Sequence, residues 1–247
     1  PTRSKEYPEG SVMSYQVAPE DCTGCTLCVD ICPIRDKSDA SRKALNMAIN
    51  KEAILDAVFQ GAGKAFVAGA DIKYFVDKIK ADRIADIAEF TRKGHELLLD
   101  IENSDKLTIA LLDGLSLGGG SELALACQAI VATPTGSMGF PETAIGIFPG
   151  LGGMLRMARF TGPELAKYYV FTGSPISAED AHTLGIVARL VAPAEVASAI
   201  NELVSAGKPD KYRQRAIPEK FNTLAQMGSS ENVDRLLNGQ PPEGVPA

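Results

Sequence analysis

Nothing in these 247 residues fits the phosphate-cradling spacing G-x-x-x-x-G-K-[ST] or the dinucleotide fingerprint G-x-G-x-x-G. Gly61-Ala62-Gly63-Lys64 comes nearest and has the spacing of neither. The chain therefore offers no P-loop and no nicotinamide site. Histidine is scarce: His95 and His182 are the only two, and both fall on helical patterns, where they read as structural or solvated groups. Positive charge is not in excess. The 25 Lys and Arg against 31 Asp and Glu leave a net charge of −6, which does not recommend nucleic acid as a partner. An anionic ligand would have to be met by local lysines or exposed backbone N–H groups. The most apolar stretch, Leu107 to Ala132, is interrupted by Asp113, several glycines and Glu122, so it does not read as a membrane span. No segment reads as a signal peptide, and the expectation is a soluble, cytoplasmic protein. A disulfide framework is missing too. Four of the five cysteines crowd between Cys22 and Cys32, and Cys127 stands alone. That distribution fits a metal site in a reducing compartment better than cross-links.

The chain does contain two kinds of sequence. Residues 1–47 are polar, carry Pro1, Pro8, Pro19 and Pro33, and show little periodicity. From residue 51 onward, short apolar runs alternate with helical patterns, as in α/β proteins. Strands are predicted at Ala57–Gln60, Leu107–Leu112, Ala129–Ala132 and Ile186–Val191. Ile84, Ile87, Phe90, Gly94, Leu97, Leu98 and Ile101 recur at helical spacing and predict one long amphipathic helix. Further helices are predicted near 152–160, 163–171, 178–184 and 194–206, with a helical segment over 217–238. The 23 glycines cluster, which points to close backbone approaches rather than to a flexible linker.

Cys22, Cys25, Cys28, Cys32 and Pro33 spell C-x2-C-x2-C-x3-C-P. Thiolates at these spacings converge on an iron–sulfur cube, and a zinc knuckle is the alternative. With its flanks, Tyr15 to Asp21 and Pro33 to Met47, the motif resembles the ferredoxin-like segment of pyruvate:ferredoxin oxidoreductase over residues 5–47. The resemblance implies a [4Fe–4S] cluster at the four cysteines. In two-cluster ferredoxins the fourth cysteine serves the other cluster. Here there is no second motif to share Cys32.

Three other stretches carry chemistry. They are Gly63 to Lys73, with Ala68-Gly69-Ala70-Asp71 at its centre; Leu117-Gly118-Gly119-Gly120-Ser121-Glu122; and Gly139-Phe140-Pro141-Glu142, running on to Gly153. Small residues let a backbone approach a ligand closely, and the N–H groups that open a helix are unpaired. Two such groups aimed at a thioester oxygen would stabilise an enolate-like transition state. Two carboxylates beside that oxygen could activate water and protonate the α-carbon. Taken alone, Glu122 would be an ordinary helix-start residue and Glu142 a solvated one.

In this order the stretches resemble the crotonase (enoyl-CoA hydratase/isomerase) superfamily over residues 57–240. The resemblance includes the crotonase domain fused to 3-hydroxyacyl-CoA dehydrogenases. It implies an α/β fold, the crotonase (ClpP-like) spiral of ββα units with a helical C-terminus. It also implies an enoyl-CoA hydratase that adds water to a trans-2-enoyl-CoA without a cofactor. On that pattern Ala70 and Gly119 supply the oxyanion hole and Glu122 and Glu142 are the catalytic carboxylates. Ala68, Lys73 and Gly118 lie along the CoA moiety, the stretch 145–157 walls the acyl pocket, and the subunits form trimers or hexamers. The reading divides the chain into a ferredoxin-like segment, 1–47, and a crotonase domain, 48–247, whose N-terminal strands are missing. The step from Leu55 to Ala57 is about a helical turn too short, which leaves the first strand without its outer neighbour. Two alternatives stay open: an iron–sulfur electron-transfer fragment of a 2-oxoacid:ferredoxin oxidoreductase, and an enoyl-CoA isomerase on the same fold.

Overall fold

The computed structural model describes residues 13–17, 57–61, 65–212 and 216–244. The four clustered cysteines lie outside these residues, and so does the expected iron–sulfur site.

The described strands form two sheets. Five strands pair in parallel in the order β1 (Met13–Val17), β2 (Ala57–Gly61), β4 (Thr108–Leu112), β6 (Ala129–Ala132) and β9 (Arg189–Leu190). Four shorter strands form the second sheet in the order β3 (Ala65–Val67), β5 (Leu115–Leu117), β7 (Ser137–Gly139) and β8 (Ile176–Ser177), the last of them antiparallel. Three of the long strands, β2, β4 and β6, pass within a few residues into a short one and then into helix. β2 and β3 lead to α1 (Ile72–Lys80) and α2 (Ile84–Glu102), and β4 and β5 lead to α3 (Gly119–Ala126). β6 and β7 lead, through a 3-10 turn at Pro141–Ile145, to α4 (Gly153–Thr161) and α5 (Pro163–Thr172). This is the repeated ββα unit that the resemblance implies. α6 (Ala178–Thr183), α7 (Val196–Ala206), α8 (Asn222–Met227) and α9 (Ser230–Leu237) complete the chain.

The pattern of side chains explains the layering. All five residues of β4 are buried, as expected of a central parallel strand covered on both faces. Ala110 and Leu112 join the larger core, with Leu98 and Ile101 of α2, Ala124 and Leu125 of α3, and Leu165 and Val170 of α5. The alternating residues Ile109 and Leu111 face the other way and join Val58, Val131, Ala199 and Leu203, so α7 covers that face. Large apolar side chains buried in this way contribute roughly 1.5–3 kcal/mol each.

Several sequence expectations need adjusting. The edge of β2 that the sequence left bare is paired with Met13–Val17, in register from Met13 opposite Ala57 to Val17 opposite Gly61. The strand expected over 186–191 narrows to Arg189–Leu190, although Ala188 N–H still donates to Ile130 C=O and Val191 N–H to Ala132 C=O. The strand expected over Ala57–Gln60 extends by one residue, to Gly61. Helix α1 was not anticipated. Its start is set by Asp71, whose Oδ1 accepts from Lys73 N–H at 2.9 Å.

Candidate active site

α3 opens at the end of β5, where Gly118 turns the chain with φ +52° and ψ −121°. Two further observations show why glycine is needed there. The left-handed φ strains any L side chain, and a Cβ would stand 2.6 Å from Glu142 Oε1. Gly118 N–H donates to Gly139 C=O at 2.9 Å, tying the loop to β7. Ser121 adds a second tie. Its hydroxyl lies 2.9 Å from Ser116 C=O and 3.0 Å from Gly139 C=O, and it accepts from Gly139 N–H at 3.1 Å. Gly119 is the first residue of α3, so its N–H has no partner within the helix. The Ala68–Ala70 segment packs beside it: a Cβ on Gly69, whose φ is +94°, would lie 3.3 Å from Leu117 C=O.

Glu122 lies one turn into α3 and is 1% exposed. Its Oε1 accepts two hydrogen bonds from the turn before α4, from Leu151 N–H at 2.7 Å and Gly153 N–H at 2.8 Å. Gly153 must be small, because a Cβ would fall 2.7 Å from Glu122 Cγ. Burial pushes the Glu122 carboxyl above the usual carboxylate range. The N–H groups of Gly153 and Leu151 and the charges of Arg156 and His95 oppose that rise without cancelling it.

Glu142 belongs to the 3-10 turn after β7. Burial raises its carboxyl to about 7, and the negative charge of Glu122 pushes in the same direction. Its Oε2 is buried and has no hydrogen-bond partner among the described residues. A buried oxygen without a partner is costly, so this one calls for a partner beyond the described residues. The geometry thus brings together a two-donor carboxylate, a carboxyl with one unpartnered oxygen and the free N-terminus of α3. Ala68 is exposed and Gly118 adjoins the Glu142 carboxyl. Lys73 lies exposed on α1, after the Asp71 cap. No group of three or more His, Cys, Asp or Glu among the described residues could hold a metal ion.

Residues 39–239 match the enoyl-CoA hydratase/isomerase family. The chain belongs to that family. The match begins inside the segment that the sequence assigned to a ferredoxin-like unit, and it includes none of the four clustered cysteines. A crotonyl-CoA hydratase from Syntrophomonas wolfei is 32% identical over 213 residues, 79% of each chain. The α subunit of a Pseudomonas syringae fatty acid oxidation complex is 31% identical over 208 residues, 81% of this chain. The present chain spans 29% of the length of that relative. A Thermobifida fusca protein solved in complex with acetoacetyl-CoA shares the fold with a TM-score of 0.56 at 25% identity, over 66% of this chain and 70% of its own.

Sequence reasoning missed the support around Glu122. Arg156 and Glu102 form a buried ion pair (2.9 Å), and the N–H donors of Leu151 and Gly153 are backbone groups that no side-chain motif reveals. An arginine flanked by Leu155 and Met157 in α4 was the available signal for Arg156. Nothing in the sequence pointed to Glu102, on another helix, as its partner.

Proposed function

We propose that this chain is an enoyl-CoA hydratase that adds water reversibly to a trans-2-enoyl-CoA, giving a 3-hydroxyacyl-CoA, with Glu122 and Glu142 as catalytic residues. The observation that carries this reading is the pairing of a buried carboxyl, Glu122, with a half-buried one, Glu142, in different surroundings beside one helix N-terminus. Family membership and the crotonyl-CoA hydratase relative support it.

The working form holds one proton between the two groups. Glu122, with two N–H donors on one oxygen, is the ionised member and takes a proton from water as the water oxygen bonds to C3. The electron pair of the C2–C3 double bond moves toward the thioester, whose oxygen gains negative charge facing the N–H groups of Ala70 and Gly119. Glu142, protonated up to about neutral pH, delivers its proton to C2. The proton gained by Glu122 then passes to Glu142 and restores the starting form. Ala68, Lys73 and Gly118 lie along the CoA moiety. Neither step needs a metal or redox cofactor. Trimers or hexamers of a cytoplasmic enzyme accompany this reading, and sedimentation of the purified protein tests the assembly. Whether Cys22, Cys25, Cys28 and Cys32 carry a [4Fe–4S] cluster is tested separately, by iron and sulfide analysis.

The test of the activity is the loss of enoyl-thioester absorbance with crotonyl-CoA. Glu122→Gln and Glu142→Gln should each lower kcat by about 10²–10⁴-fold in protein that stays folded. Full activity in either variant would sink the assignment. Activity on a 3-enoyl-CoA that needs Glu142 but not Glu122 would indicate the isomerase instead.

A further inference from the structure

The turn that holds Glu122 is itself held. Arg156 Nη1 donates to Leu151 C=O at 2.8 Å, and Leu151 N–H in turn donates to Glu122. One residue thus receives the guanidinium on its carbonyl and presents its amide to the carboxylate. Between Leu151 and Gly153, Gly152 has φ +90°, and a Cβ there would come 2.9 Å from Arg156 Nη1. The other edge of the guanidinium is spent on Glu102. Nε lies 3.0 Å and Nη2 2.9 Å from Glu102 Oε2. Both side chains are shielded, at 6% and 13% exposure.

Glu102 is anchored more heavily than an ordinary ion pair requires. Its Oε1 accepts from the Tyr212 hydroxyl, and Arg159 (3.4 Å) and Lys211 (3.8 Å) also approach it. Burial works against its ionisation, yet Tyr212, Lys211 and Arg156 together hold the carboxyl below its usual range. A buried pair of charges contributes little net stability, because desolvation offsets the attraction. Its value lies in geometry: a planar guanidinium with two occupied edges can be oriented in only one way.

We propose that Arg156, braced by Glu102, is a positioning residue that fixes the 151–153 turn so that its two N–H groups hold Glu122 in working orientation. The inference rests on the assignment of Glu122 as the water-activating group. The groups that act on the Glu122 charge are Glu142 from the 3-10 turn, His95 from α2 and Arg156 from α4. Of these, only Arg156 also braces the backbone donors.

Arg156→Lys keeps the positive charge but cannot serve Leu151 and Glu102 together. Glu102→Gln keeps a near-identical shape and removes the brace's charge. For both, kcat and KM for crotonyl-CoA are measured across the pH range in which the protein stays folded. The expected result is a kcat lowered about 10–100-fold with KM changed little, and an acid limb of the kcat profile moved to higher pH as Glu122 loses its donors. The same shift is read without activity from the infrared carbonyl band of protonated Glu122, identified by its loss in Glu122→Gln. A purely structural role would lower thermal stability and leave the limb, the band and the kcat of folded molecules unmoved, and that result overturns the inference. If Arg156→Lys does not fold, Glu102→Gln decides by the same readouts. A moved band in a protein with no hydratase activity would keep the positioning role and discard the reaction. An active enzyme whose band and limb stay in place would do the reverse.

Discussion

Glu142 is the residue whose surroundings most directly predict a pH effect. Its folded carboxyl is raised to about 7, against an ordinary value of 4.5. Between those two values the folded protein binds more protons than the unfolded chain, so stability falls as pH rises through that window. Above about 7 the penalty is complete, and below about 4.5 it is absent. Glu142→Gln should therefore raise unfolding free energy at pH 8 by about 1–2 kcal/mol, allowing for partial solvent screening, and leave it unchanged at pH 4. Urea unfolding at the two pH values checks this, and equal effects at both would refute it. The same proton gives the rate a basic limb near 7, with the acid limb set by Glu122, so kcat should be bell-shaped in pH with both limbs belonging to the pair. Gly118→Ala tests the loop against which the Glu142 carboxyl lies. A left-handed φ and a Cβ at 2.6 Å from Glu142 Oε1 should displace that carboxyl and cut kcat by about 10²-fold while the protein remains folded.

At the scale of elements, α3 is fastened to both neighbouring strands of the short sheet by one hydroxyl. Ser121→Ala would leave Gly139 N–H without that acceptor in a buried site and should cost about 1–3 kcal/mol. The denaturant midpoint should fall without a change in slope. The long elements were legible in the sequence because their periodicity is strong. β4, β6, α2 and α5 lie within a few residues of where the apolar pattern puts them. β3, β5, β7 and β8 were not legible, since two or three residues are too few for alternation to register. α1 escaped although Ile72, Phe75, Val76 and Ile79 recur at helical spacing, because its first residues were read as the end of the Gly63–Lys73 stretch. In the site, the glycine run and the two glutamates were readable from their order. The carboxylate's supporting turn was not, because its donors are main-chain atoms and its brace pairs residues 54 apart in the chain.

Across the whole molecule, the larger core draws on both sheets and the helices between them, and Cys127 sits in it with 1% exposure. Burial pushes its thiol up to about 12, so the reactive thiolate is scarce at neutral pH. Labelling by a thiol reagent, read at Cys127 by peptide mass, should therefore proceed only as fast as the whole domain opens. Its rate should rise with denaturant in parallel with global unfolding. Rapid labelling in native buffer would show instead that α3 opens locally.

The clamp on Glu122 has a consequence for the order in which the protein is made. The carboxylate is synthesised 29 residues before Leu151 and 31 before Gly153, and 34 before Arg156 (156 − 122 = 34). A buried charge without its donors is strongly unfavourable. A nascent chain that has left the ribosome only as far as α3 therefore cannot bury that carboxylate in its charged form. The charged group gains its native seat only when the turn before α4 has followed it out.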